Sequence, residues 1–279
     1  MTVMAVARTL VRSFRDSRLR AADRSTLVEL AKSGPIGEIL RNALTGSSQG
    51  AVGDDPFISR IESARTALLE DASPLVDESL GPAGIYDDGL SVAKAARASR
   101  NPADSLMLYK LVREFRPRTI LELGTNLGVS SAYLAAAQNL NGAGEVFTLD
   151  ASPYRQRIAR NLHGECSLDN VHYVAGLFTD TLHGTLADIA LVDFAFIDGH
   201  HQYQPTIDYF NMIFGHSAPE CVFIFDDINW SDGMRRAWSE LNDDPRFTVV
   251  ASLQNVGIGI ATKEPSQARI DVKLRTPRR

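Results

Sequence analysis

Between Asn101 and Thr262 the sequence alternates short apolar runs with helical stretches, an order that few folds accommodate. The runs are Thr119–Leu123, Glu145–Leu149, Val171–Ala175, Phe194–Ile197, Val222–Phe225, Phe247–Leu253 and Val256–Thr262. Asn101-Pro102, Ser152-Pro153 and Gln204-Pro205 read as helix starts, because proline costs no hydrogen bond at the first helical position. Strands apolar on both sides belong to a parallel sheet covered on both faces. The expected fold is therefore α/β, a seven-stranded, doubly wound, mostly parallel sheet. In such sheets ligands bind outside the carboxyl ends of the strands, near the point where strand order reverses. The residues just after each strand carry the functional reading.

The first hundred residues differ. Val6, Leu10, Val11 and Phe14 recur at helical spacing between arginines, which predicts an amphipathic helix over residues 1–31. Thr45 to Pro56 is Gly/Ser-rich and reads as a linker. Ile58, Ile61, Ala64, Leu68 and Leu69 predict a second helix, ended by Ser73-Pro74, and Gly81 to Gly89 has loop chemistry. The division is thus a helical region over 1–100, acting as cap or dimer contact, a catalytic domain over 101–263, and a basic tail over 264–279.

Composition narrows the partners. The net charge of -5 hides two basic ends, each +4 (residues 1–24 and 265–279), so the body between them stands at -13. An acidic body is a poor surface for phosphate, which excludes nucleic acid as the expected partner. Two cysteines cannot build a disulfide scaffold and predict buried thiols in a reducing, cytoplasmic setting. No apolar run approaches the roughly 18 residues needed to span a bilayer.

Four segments carry chemistry. Residues 120–131, ILELGTNLGVSS, set Glu122, Gly124 and Gly128 in a strand-to-helix turn. The glycines allow a tight turn, but they are four apart and Asn126 stands between them, which suits a dinucleotide pyrophosphate poorly. Glu122 adds a carboxylate better matched to an ammonium. Asp150 ends the second strand, where an acid accepts hydrogen bonds from a ribose diol or caps the next helix. FAFIDGHHQY (194–203) and FIFDDINW (223–230) bring Asp198, Asp226 and Asp227 to neighbouring strand ends. With no basic partner evident in the sequence, three such carboxylates call for a cation, and oxygen ligands alone suit Mg²⁺, Ca²⁺ or Mn²⁺. His200 and His201 follow, either of them a candidate base.

Taken in order, these four motifs resemble class I S-adenosylmethionine-dependent methyltransferases. Within them they resemble the metal-dependent O-methyltransferases of the catechol and caffeoyl-CoA type and their bacterial sugar- and antibiotic-modifying relatives. The resemblance covers residues 101–263. It implies that Glu122, Gly124, Gly128 and Ser130 hold the cofactor, that Asp150 takes the ribose hydroxyls, and that Asp198, Asp226 and Asp227 bind a divalent metal, Mg²⁺ above all. It favours His201 over His200 as the catalytic base. It implies methyl transfer to a hydroxyl of a small molecule, and the apolar N-terminal helix adds the expectation of a homodimer. One departure concerns AGLFTDTL (175–182): Gly176 and Leu177 stand where many relatives have an acid near the adenine.

Two other classes stay open on sequence alone. A metal-independent methyltransferase of the same fold would spread the three aspartates apart. A non-catalytic scaffold would not bind the cofactor. A nicotinamide dehydrogenase is disfavoured by the glycine spacing.

Overall fold

The computed structural model describes residues 21–32, 34–45, 55–75, 90–253, 255–264 and 269–273. The first twenty residues of the helix expected over 1–31, most of the Thr45–Pro56 linker and the Gly81–Gly89 loop lie outside the described residues. The helices are α1 (Ala21–Lys32), α2 (Pro35–Thr45), α3 (Pro56–Glu70), α4 (Val92–Ala98), α5 (Pro102–Phe115), α6 (Val129–Asn141), α7 (Pro153–Glu165), α8 (Phe178–Asp188), α9 (Tyr203–Gly215) and α10 (Asp232–Asn242). The strands are β1 (Thr119–Leu123), β2 (Glu145–Asp150), β3 (Val171–Ala175), β4 (Val192–Ile197), β5 (Ser217–Phe225), β6 (Phe247–Ser252), β7 (Gly257–Thr262) and β8 (Ile270–Lys273).

The strands form one sheet in the order β3-β2-β1-β4-β5-β7-β6-β8. Strand β7 is antiparallel to both β5 and β6, and the other pairings are parallel. The sheet is the Rossmann-like one expected, with eight strands in place of seven. The eighth comes from the stretch read as a tail: Ile270-Asp271-Val272-Lys273 alternates apolar and charged residues, and it pairs with β6. Four residues beside a basic terminus give too short a pattern to stand out in the sequence.

The starts of α5 and α7 have a local cause. Asn101 accepts from the Ala103 and Asp104 amides and Pro102 follows, so α5 begins there. Ser152 caps α7 through the Arg155 amide, again before proline. Along β4, Phe194 and Phe196 face one layer while Ala195 and Ile197 face the other. The first layer holds α1, α2, α3, α5 and α6. The second holds α8, α9 and α10, with Phe210, Phe223, Phe225 and Phe247 in mutual ring contact. The first layer crosses the boundary drawn at residue 100. Leu27, Leu30, Leu40, Ile58 and Ile61 share one core with Ile120, Phe194 and Phe196. Among the described residues no helix is long and apolar enough to cross a membrane. Cys166 and Cys221 are buried free thiols.

Candidate functional site

The order of strand addition reverses between β1 and β4, and the register aligns Leu123 with Ile197 and Ile197 with Phe225. The loops after β1, β4 and β5 therefore leave the sheet at one level. Each amide just past a strand bonds to the end of its neighbour: Gly124 N–H to Leu149 (2.9 Å), Asp198 N–H to Leu123 (2.9 Å) and Asp226 N–H to Ile197 (3.0 Å). The loops touch closely. Gly124 has φ +112, and a Cβ there would lie 2.2 Å from the Asp198 carbonyl oxygen. Its glycine is required by the neighbouring loop as well as by the turn.

Glu122 is fully buried on the α6 side of β1. Its Oε2 accepts from the Thr148 hydroxyl at 2.6 Å, and its Oε1 has no hydrogen-bond partner. Burial pushes its pKa up to about 7, against the opposing pull of the Ser130 and Thr148 hydroxyls. Ser130 is itself buried, one residue into α6. Gly128 caps that helix at φ +85, and its carbonyl accepts from buried His163 Nε2 at 2.8 Å.

Asp150 does two jobs already. Its Oδ2 accepts from the Asn126 amide (2.8 Å) and its Oδ1 from the Ser152 amide (2.9 Å), tying the glycine loop to the start of α7. Beyond β3, Leu177 is 51% exposed beside the Gly176 amide that bonds the Asp150 carbonyl. An apolar residue thus stands at this strand end. Asp180 lies inside α8, accepting from Thr179 (3.0 Å).

Asp198, Asp226, Asp227 and His201 share one electrostatic neighbourhood. His201 Nε2 lies 3.8 Å from Asp198 Oδ1. Burial, then repulsion from Asp226, hold the Asp198 carboxyl well above the usual range, opposed by Arg100. Burial and Asp226 also raise Asp227, opposed by His201 and Arg100. The two histidines separate: His200 Nδ1 is bonded to the Tyr209 hydroxyl (2.8 Å), while His201 faces the carboxylates and lies 6.5 Å, ring to ring, from Trp230. Trp230 is 72% exposed and forms a rim. Tyr203 is engaged elsewhere, donating to Glu240 beneath the Arg236 guanidinium.

Sequence reasoning missed Arg100. Its side chain is 5% exposed and ion-paired with Asp226 Oδ2, with its guanidinium carbon 5.4 Å from the centre of the Phe196 ring. The sequence reading assumed carboxylates with no basic partner; the partner is present, directly before the Asn101-Pro102 helix start. Among the described residues, no three His, Cys, Asp or Glu side chains are arranged to hold a metal ion. The donor set does not fit the metal implied by the resemblance, because a guanidinium already occupies Asp226.

The N-terminal region borders this site. Leu127, in the glycine loop, packs with Leu75, Val92, Ala95 and Ala96, and Asn126 Nδ2 lies 3.4 Å from the Ala95 carbonyl.

Residues 121–228 match the model of a family described as a methyltransferase domain. A protein of Mycobacterium sp. (strain JLS) that carries an O-methyltransferase name by assignment is 28% identical over 154 residues, covering 54% of this chain and 66% of the relative. The O-methyltransferase from Bacillus cereus, solved with S-adenosylhomocysteine, has a TM-score of 0.55 and 24% identity, covering 75% of this chain and 92% of that one. The O-methyltransferase TomG from Streptomyces achromogenes, involved in tomaymycin synthesis and solved with S-adenosylmethionine, has a TM-score of 0.52 and 22% identity, covering 62% and 87%. These structural likenesses establish the fold.

Proposed function

We propose that the chain, whose residues 121–228 match the family model of a methyltransferase domain, transfers a methyl group from S-adenosylmethionine to a hydroxyl of a small molecule. The observation that carries the reading is the gathering of Glu122, Asp150, Asp198 and His201 at the carboxyl ends of β1, β2 and β4, where strand order reverses. When bound, S-adenosylmethionine supplies a methyl on a sulfonium; the acceptor oxygen's electron pair makes the new C–O bond and the sulfur keeps the pair from the broken C–S bond.

The chain's own residues then have separable tasks. The Gly124 and Gly128 turn gives the cofactor a close backbone approach. Asp150, at the end of β2, takes the ribose hydroxyls. Glu122, with an oxygen lacking any partner, offers a buried acceptor to a cofactor donor group, and Ser130 adjoins it. His201 Nε2, 3.8 Å from Asp198 Oδ1, takes the proton from the acceptor hydroxyl. Aligning the two reactants is the larger part of the work. In this reading residues 1–100 serve as cap or dimer contact and 101–263 as the catalytic domain, to whose sheet the basic 264–279 stretch adds β8. A homodimer through the N-terminal helix completes the proposal, checked by light scattering for twice the 30.5 kDa chain mass.

The metal-dependent form of the reading needs Asp198, Asp226 and Asp227 on one cation, and the Arg100–Asp226 pair weighs against it. The metal-independent form is the one proposed.

Calorimetric titration tests the proposal. S-adenosylhomocysteine should bind with micromolar affinity or better, and Asp150→Ala should weaken it at least about tenfold, the loss of one charge-assisted hydrogen-bonding group. Asp198→Ala should weaken it far less. Equal losses from both variants would refute the division of labour, and no binding at all would leave the scaffold reading in front.

A further inference from the structure

We infer that Arg100 is the resident cation of the Asp198–Asp226–Asp227 cluster, so that the acceptor site works without a divalent metal. Catalysis in this statement rests on the methyl-transfer reading; the identity of the cation does not, and it is tested separately.

Four observations carry it. Arg100 lies with a side chain 5% exposed, a depth at which an arginine stays charged and must be neutralised. Its guanidinium takes Asp226 Oδ2, while Asp226 Oδ1 accepts the Asp227 amide at 2.8 Å, so both oxygens of the central carboxylate are engaged. A divalent ion on the same carboxylate would meet a like charge at close range in a poorly screened setting. The arginine is also held in place. The Phe196 ring lies under it, its carbonyl accepts from Ser105 Oγ (3.4 Å), and that serine accepts from buried Arg65 Nη2 (3.1 Å). Finally, Arg100 Nε is buried with no hydrogen-bond partner, an N–H left to receive an acceptor oxygen. Arg100 is thus a positioning residue: it fixes the charge of the carboxylates that orient His201 and the acceptor.

The test is Mn²⁺ binding to the full-length protein, read by calorimetry and by the Mn²⁺ electron paramagnetic resonance signal. Wild-type protein should take up no Mn²⁺ below millimolar concentrations. Arg100→Met should bind Mn²⁺ at least about tenfold more tightly, because three carboxylates then lack a counter-charge. Arg100→Lys should behave as wild type, which a merely structural role for the side chain does not predict. Adding Asp226→Asn to Arg100→Met should abolish the gained site. Micromolar Mn²⁺ binding by wild-type protein, removed by Asp226→Asn, would overturn the inference. So would an Arg100→Met protein, folded by circular dichroism, that gains no affinity. If Arg100→Met does not fold, the wild-type titration decides alone. S-adenosylhomocysteine titrated into the same samples separates the two readings. Its failure to bind sinks the methyltransferase proposal and leaves the cation assignment standing.

Discussion

His163 shows how one buried side chain couples the glycine loop to pH. Its Nε2 must donate, since its partner is the Gly128 carbonyl, so Nδ1 accepts from the Tyr173 hydroxyl. Both nitrogens are used by the neutral ring, and burial pushes its pKa down to about 4. The unfolded chain, with histidine near its ordinary ~6.5, binds the extra proton first. Stability from this residue is therefore complete above about pH 6.5 and is lost as pH falls towards 4, by about 3 kcal/mol in all. Urea midpoints measured from pH 7 to pH 4 should fall, and His163→Gln should flatten the slope; an unchanged slope would remove the assignment. At Gly124 the constraint is steric. Gly124→Ala should cost about 1–3 kcal/mol of stability by chemical denaturation and weaken S-adenosylhomocysteine binding, because φ +112 and the Asp198 carbonyl both oppose a Cβ.

Helices α3, α5 and α6 are locked by polar groups as well as by packing. Arg65 lies 3.3 Å from Glu62, Tyr133 donates to Glu62 at 2.6 Å, and Tyr109 donates to Asp55, which also caps α3. Removing one partner strands the others in a nearly dry interface. Arg65→Met should lower stability by about 3 kcal/mol, and through Ser105 it should disturb the start of α5 that presents Arg100. Glu62→Gln, which keeps the shape, should cost less in the same melt. In the opposite layer, Gly259 lies against the Phe247 ring, where a Cβ would approach to 2.3 Å. Gly259→Val should therefore destabilise by roughly 1–3 kcal/mol through overpacking. The starts of α5 and α7 were readable because caps and prolines act within three residues. Strand β8 was not, since its reason to pair is the edge of β6, 21 positions earlier (Val249 beside Ile270) and beyond the reach of a local pattern.

For the whole molecule, one core runs through the boundary at residue 100. A fragment beginning at Asn101 would uncover Ile120, Leu108 and Leu111 of the layer that Leu40 and Ile61 now share, and it should aggregate or stay unfolded on gel filtration. Much of the site was legible beforehand. Glu122, Gly124, Asp150, Asp198 and His201 are set by their place just after a strand or in its last turn, and strands follow from local apolar runs. By itself the sequence determined the order of elements and the acidic groups that stand at the strand ends. Local hydrophobicity, caps and turn chemistry act over a few residues and leave their mark in composition and spacing. The tertiary structure alone decided which cation answers those acids. Arg100 stands 126 positions before Asp226, and no local pattern tells that the start of α5 docks over the end of β5. Burial then makes the pairing compulsory, because neither charge can be left alone away from water.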